Sequence, residues 1–173
     1  MVKNIIFLSS TALLFIGCST ALVNVRELDK EYAQPKTSGY SSMHAECKDT
    51  ELEQYMQKAI NKELEKQKIY GDDLKIYCEI TYYDEGNRAL RYFFGAGHAA
   101  STIRNDLIDT ENNETLSTIE TQATLGWGVF GGNAKQTIVD SAKKVVNYFK
   151  KKFLKSEKFP GRSSIRKKNI LRK

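Results

Sequence analysis

Between Lys68 and Leu74 the hydrophobic repeat of this chain changes from about 3.6 residues to two, and that switch limits the fold more than any other feature. Upstream, Leu52, Tyr55, Met56, Ala59, Ile60 and Leu64 recur at steps of three and four. That spacing gathers them on one side of a helix over 49–68. Thr50 followed by Glu53 reads as a capping box at its start, Lys66 and Lys68 suit the negative end of its dipole, and Gly71 reads as its stop. Downstream, Leu74, Ile76, Cys78, Ile80 and Tyr82 alternate with Lys75, Tyr77, Glu79, Thr81 and Tyr83. A strand patterned this way lays its first set on a core and turns its second set outward.

The same reading extends along the chain. Asp84 to Asn87 is a turn, and a second strand runs from about 97 to 109. Asp109 to Glu114 is rich in residues that tolerate left-handed backbone angles and reads as a hairpin turn into a third strand over 115–125. A glycine-rich loop over 126–133 leads to a helix over 135–153, striped by Ile138, Val139, Ala142, Val145, Val146, Phe149 and Phe153. The expected fold is α+β in two layers: an antiparallel meander of three to four strands covered by two amphipathic helices. This unit spans 46–154. Residues 18–45, with Pro35 and Gly39, read as a tether, although Ala21 to Val25 is a candidate for a short strand.

The two ends of the chain speak to location. Lys3, an apolar run from Ile5 to Ile16, then Gly17 and Cys18 follow the plan of a bacterial lipoprotein signal. The apolar run is shorter than the roughly twenty residues of a spanning helix. Cleavage before Cys18 is expected, with residues 1–17 removed and the cysteine acylated. An ordinary secretory signal cut near Ala21 and an uncleaved short anchor are the alternatives. Ser19, where an Asp would favour retention at the inner membrane, points to the outer membrane and a periplasm-facing domain. The formal charge of +6 belongs to the far end: from Lys155 onward there are eight basic residues and one acid, a balance of +7, so the rest of the chain carries −1. Residues 155–173 read as a basic, disordered tail.

With Cys18 acylated, Cys47 and Cys78 remain. Export to an oxidising compartment makes a disulfide the first expectation and two buried free thiols the alternative. Metal ligation by His44, Cys47, Cys78 and His98 is disfavoured, since nothing brings the four together. Gly95-Ala96-Gly97 opens a strand where a dinucleotide fingerprint must open a helix. The two histidines have no acid at motif spacing, no nucleophile elbow occurs, and Asp106 with Asp109 reads as a turn rather than an acid–base pair. No catalytic residue, metal or cofactor is assigned. Binding is assigned instead to the outward tyrosines Tyr77 and Tyr83 and to Trp127 and Phe130 in the glycine-rich loop; plugging the edge of the core is the alternative for the latter two. Nucleic acid is not an expected partner.

The run from Arg91 through Tyr92-Phe93-Phe94-Gly95-Ala96-Gly97-His98 to Leu107-Ile108-Asp109-Thr110 resembles an uncharacterised bacterial envelope family, that of the domain of unknown function 4410. The resemblance covers about 50–153. It implies a glycine-led strand, a hairpin, a second strand, a glycine-rich connection and a closing helix, and a lipoprotein context. It assigns no activity. The turn departs from the family pattern, reading Glu111-Asn112-Asn113-Glu114 without the usual glycine. The functional expectation is an outer-membrane-anchored lipoprotein with a binding or scaffolding role toward an envelope protein or cell-wall polymer. An envelope hydrolase with an unrecognised site, or an adhesin acting on anionic surfaces through the basic tail, are the alternatives.

Overall fold

A computed structural model describes residues 20–28, 39–94, 96–125 and 133–154. The switch in period is where the helix hands over to the strand: α1 spans Glu51–Lys66 and β3 spans Leu74–Asp84. Thr50 caps α1, its Oγ1 accepting the Glu53 N–H and donating to the Glu53 carboxylate. The other end is closed by Lys68 at positive φ, with the Ile69 N–H donating to the Leu64 carbonyl. That is a six-to-one C-cap in which Lys68, not Gly71, takes the left-handed position. β4 (Ala99–Asp109) and β5 (Thr115–Leu125) form the expected hairpin, with Asn113 left-handed at its tip. A seven-residue helix, α2 (Arg88–Phe94), lies between β3 and β4, and α3 spans Gln136–Phe153.

The sheet is larger than the expected meander, and it is mixed. β1 (Leu22–Glu27) lies in the segment read as tether, at the short strand offered there, and β2 (Met43–Cys47) straddles the end of that segment. β1 pairs antiparallel with β5, and β2 pairs parallel with β3, giving the order β1-β5-β4-β3-β2. β2, α1 and β3 therefore make one parallel crossover unit beside an antiparallel meander. The sequence hides β2 because five residues with only Met43 and Ala45 buried are too short to show a period. The α+β class stands; the wholly antiparallel sheet does not.

α1 and α3 lie on one side of the sheet and seal the core. Met56, Ile60 and Leu64 of α1 and Ile138, Val145, Val146 and Phe149 of α3 meet Leu74, Ile76, Ile103, Leu107 and Ile119 beneath. The segments leading into both added strands are held by carboxylates. Asp140 on α3 accepts the Ala21 N–H at 2.8 Å just before β1. Ahead of β2, Asp73 accepts from the Ser41 N–H and hydroxyl, both at 2.8 Å, and Asp109 accepts from the Tyr40 hydroxyl at 2.5 Å.

These bonds make the fold acid-sensitive. The Tyr40 hydroxyl holds the Asp109 carboxyl below its ordinary value, and the Ser41 N–H and hydroxyl do the same for Asp73. Burial pushes Asp140 up, but the Ala21 N–H, Lys143 and Gln136 outweigh it and leave it lowered. Tyr40, held by Asp109, is pushed up to about 12. Carboxyls lowered in the folded state bind fewer protons there than in the unfolded chain, so stability rises with pH across the interval between the two values. The contribution is complete above about pH 5 and is lost as pH falls through the ordinary 3.8 toward the folded values. Tyr40→Phe is expected to cost about 1–2 kcal/mol at pH 7 in urea unfolding. The difference from the parent should shrink as pH is lowered below 3.8 toward the folded value of Asp109, since protonation of that carboxyl removes the bond from both sides of the comparison; an undiminished difference would assign the loss to packing.

Candidate functional site

The side of the sheet opposite α1 and α3 carries no other described helix, and most of its outward residues are polar. Register lines up one row of them across all five strands. Arg26 of β1 pairs with Glu120 of β5, Glu120 with Arg104 of β4, and Arg104 with Glu79 of β3. Lys48, one residue beyond β2, closes the row by an ion pair with Glu79. The charges read plus, minus, plus, minus, plus over about 19 Å, taking about 4.8 Å per strand. Arg26 and Glu120 are 3.0 Å apart, and the Arg104 Nε also reaches the neighbouring Asp106 at 3.2 Å. Opposite charges on directly facing positions stabilise a sheet modestly, by about 0.2–1 kcal/mol a pair. Their larger consequence is a patterned, water-facing surface.

Tyr77 lies on this surface, half-buried, directly opposite Asp106 on one side and Glu46 on the other. Lys75, two residues before it, bonds Glu46 at 3.2 Å. Tyr83 does not join it. A register shift between Ile80 and Tyr82 bulges β3 at Thr81, and one extra residue exchanges the two sides of the strand. Tyr82 is consequently turned outward and 52% exposed, while Tyr83 packs against the core. The bulge is held from beneath by the buried Glu53 of α1, whose carboxylate accepts the Ile80 N–H at 3.1 Å. Strict alternation, extended past Ile80, assigns both tyrosines to the wrong sides.

Cys47 and Cys78 are opposite one another in the β2–β3 register, 4.6 Å apart at Cα, and form a disulfide. His44 faces the Gly71 carbonyl at 3.2 Å, and His98 is exposed in the lead-in to β4. Among the described residues no group of three or more His, Cys, Asp or Glu is placed to hold a metal ion. Asp106 and Asp109 occupy opposite sides of β4, one beside Arg104 and the other under Tyr40, so they do not act on a common atom. Cys18, Trp127, Phe130 and the tail 155–173 lie outside the described residues. Among those that are described, no helix is long and apolar enough to cross a membrane. The charged row went unseen in the sequence, although Glu79, Arg104 and Glu120 all sit at outward positions of recognisable strands. Only the pairing register shows that they are neighbours.

Residues 23–129 match the family described as Domain of unknown function (DUF4410). No curated protein matches the chain. Solved structures with a similar course include a candidate lipoprotein from Caulobacter crescentus CB15, 11% identical, at a TM-score of 0.46 over 62% of this chain and 87% of that one. The PelC dodecamer from Paraburkholderia phytofirmans is 10% identical, at 0.43 over 78% of this chain and 100% of that one. Protein XCC0632 from Xanthomonas campestris is 9% identical, at 0.46 over 70% and 88%. At this level of likeness none of the three bears on ligand or assembly.

Proposed function

The chain belongs to the family of the domain of unknown function 4410, and with that membership as premise we propose that it is an envelope lipoprotein whose work is binding rather than catalysis. Acylated Cys18 holds the domain on the outer membrane, facing the periplasm. Two acyl chains suffice for a stable anchor where one is marginal. The Cys47–Cys78 bridge suits an oxidising compartment.

The observation that carries the binding role is the charged row on the uncovered side of the sheet. Its alternating signs bear on the kind of partner. An anionic polymer is best met by one sign of charge, whereas a mixed row is met by its complement on a protein, which fixes orientation and rejects wrong partners. Tyr77 beside the row is the type of side chain that anchors such contacts. An envelope protein is therefore the partner we favour over the cell-wall polymer.

Photo-crosslinking in cells tests this. A crosslinker replacing Arg104, within the row, is expected to capture a discrete protein, and one replacing Lys58, on the exposed side of α1, is expected to capture none. Equal capture from both positions would remove the sheet surface as the site. Deleting 156–173 should leave capture intact; its loss would favour the tail adhesin. In the same cells Cys18→Ser should move the protein from the membrane fraction to the soluble one, and unchanged membrane association would remove the lipid anchor.

A further inference from the structure

Four large apolar side chains are exposed at one end of the sheet. Leu22, the first residue of β1, is 80% exposed; Leu90, Phe93 and Phe94 of α2 are 42%, 69% and 76% exposed. Register brings them to the same end. Leu22 pairs with Thr124, Thr124 with Ala100, and Ala100 with Asp84. This row crosses four strands in about 14 Å, and α2 is built into the excursion that leaves Asp84 and returns at Ala99.

The excursion is braced at its neck. The Asn87 N–H donates to the Gly97 carbonyl at 3.1 Å, the Asn87 Oδ1 accepts the Leu90 N–H at 3.0 Å, and the Ala96 N–H donates to the Leu90 carbonyl at 3.3 Å. Gly86 and Gly97 both have positive φ, and a Cβ on Gly86 would lie 2.4 Å from the Gly97 carbonyl oxygen. Two glycines thus permit a close approach that presents Phe93 and Phe94 from a fixed base. Neighbouring exposed aromatics of this kind mark a contact surface more often than a lone exposed Leu does. The sequence of α2 contains two arginines and no acid.

The chain enters β1 at this same end. Cys18 precedes Leu22 by four residues, a reach of at most about 14 Å when fully extended. We infer that Leu22, Leu90, Phe93 and Phe94 rest in the headgroup layer of the leaflet that holds acylated Cys18. Exposed Phe and Leu side chains suit the boundary between headgroups and acyl chains, where an apolar face is buried about 5–10 Å deep. The strands then stand end-on to the membrane, and the charged row faces sideways into the periplasm, open to a partner. This inference rests on the anchor proposed above.

Depth-dependent quenching tests it. Full chain carrying Trp127→Phe and Phe94→Trp is purified from membranes and placed in phosphatidylethanolamine–phosphatidylglycerol vesicles brominated near the top of the acyl chains. The indole at position 94 should lose about half its emission or more, as for a side chain about 5–10 Å into the boundary. The same indole moved to position 77 by Tyr77→Trp should lose almost none. Leu22→Trp reads the same end independently of α2 and should behave like Phe94→Trp. The mass of the N-terminal peptide reports acylation separately. Acylated chain without quenching at 94 and 22 would overturn the inference and leave the anchor standing. A peptide of unmodified mass would overturn the anchor and the inference with it. Unquenched, blue-shifted emission that grows with protein concentration would put a second copy of this chain on the end and also overturn the lipid contact.

Discussion

Reducing the Cys47–Cys78 disulfide, or replacing both cysteines with serine, is expected to lower the stability of the domain by about 3–4 kcal/mol. The figure follows from loop entropy: the bond joins residues 31 apart, and releasing a loop of that length enlarges the unfolded ensemble by about this amount. The location adds a spatial prediction. β2 is a five-residue edge strand with a single neighbour, and the loop that the bond closes contains the whole of α1. Loss of the bond should therefore loosen β2 and α1 first. Hydrogen exchange is expected to show early loss of protection over 43–66, with β4, β5 and α3 protected until global unfolding. An unchanged urea midpoint in the double serine variant would show that packing alone holds β2 on the sheet. The bond also has a practical meaning: an edge strand left unpaired is a template for aggregation.

Phe149→Ala is expected to cost about 3–5 kcal/mol. Phe149 is fully buried near the end of α3, with its ring edge-on to Phe153 at 6.1 Å and to Tyr148 at 5.5 Å. It belongs to the cluster that joins both helices to the sheet, so truncation opens a cavity that several rigid elements surround. Against a total of about 5–15 kcal/mol for a domain, that loss is large enough to lower cellular abundance. In urea the midpoint should fall with the slope unchanged. Phe149→Leu, which retains most of the volume, should cost considerably less. Equal losses for the two variants would mean that ring contacts rather than filled volume set the cost. Unlike removal of the disulfide, this change should weaken all elements together, because no single strand depends on it alone.

The two expectations differ in how visible they were in the sequence. Phe149 lies on a helical stripe seven residues long in its apolar positions, and its burial follows from period alone. Cys78 lies on the inward side of a recognisable strand. Cys47, by contrast, sat in a segment with no period to identify it as strand, so their adjacency waited on the β2–β3 pairing. The same contrast runs through the surface. Tyr77 lies on the outward side, as alternation required. Tyr83 fails because alternation is interrupted at Thr81, and the interruption is imposed from another element: the Glu53 carboxylate on α1 takes the Ile80 N–H. The exposed Phe93 and Phe94 stood out only as letters of a family pattern, since a seven-residue helix is too short for its own stripe to be read.

Residue order by itself determined α1, β3, β4, β5 and α3, the capping box at Thr50, the left-handed hairpin tip near Asn113 and the two-layer class. Each rests on interactions within a few residues, where spacing and backbone preference act without knowledge of the rest of the chain. Tertiary contacts alone decided that β2 runs parallel to β3, that β1 completes the far edge, that five charges align into one row, and that Leu22 shares an end with α2. Those outcomes depend on which strand lies beside which and in what register, and that is set by burying Met43 and Ala45, and packing the partly buried Val25, against residues distant in sequence. Local periodicity fixes which way a side chain points so long as no bulge interrupts it; only long-range packing fixes where it is interrupted and what the side chain meets.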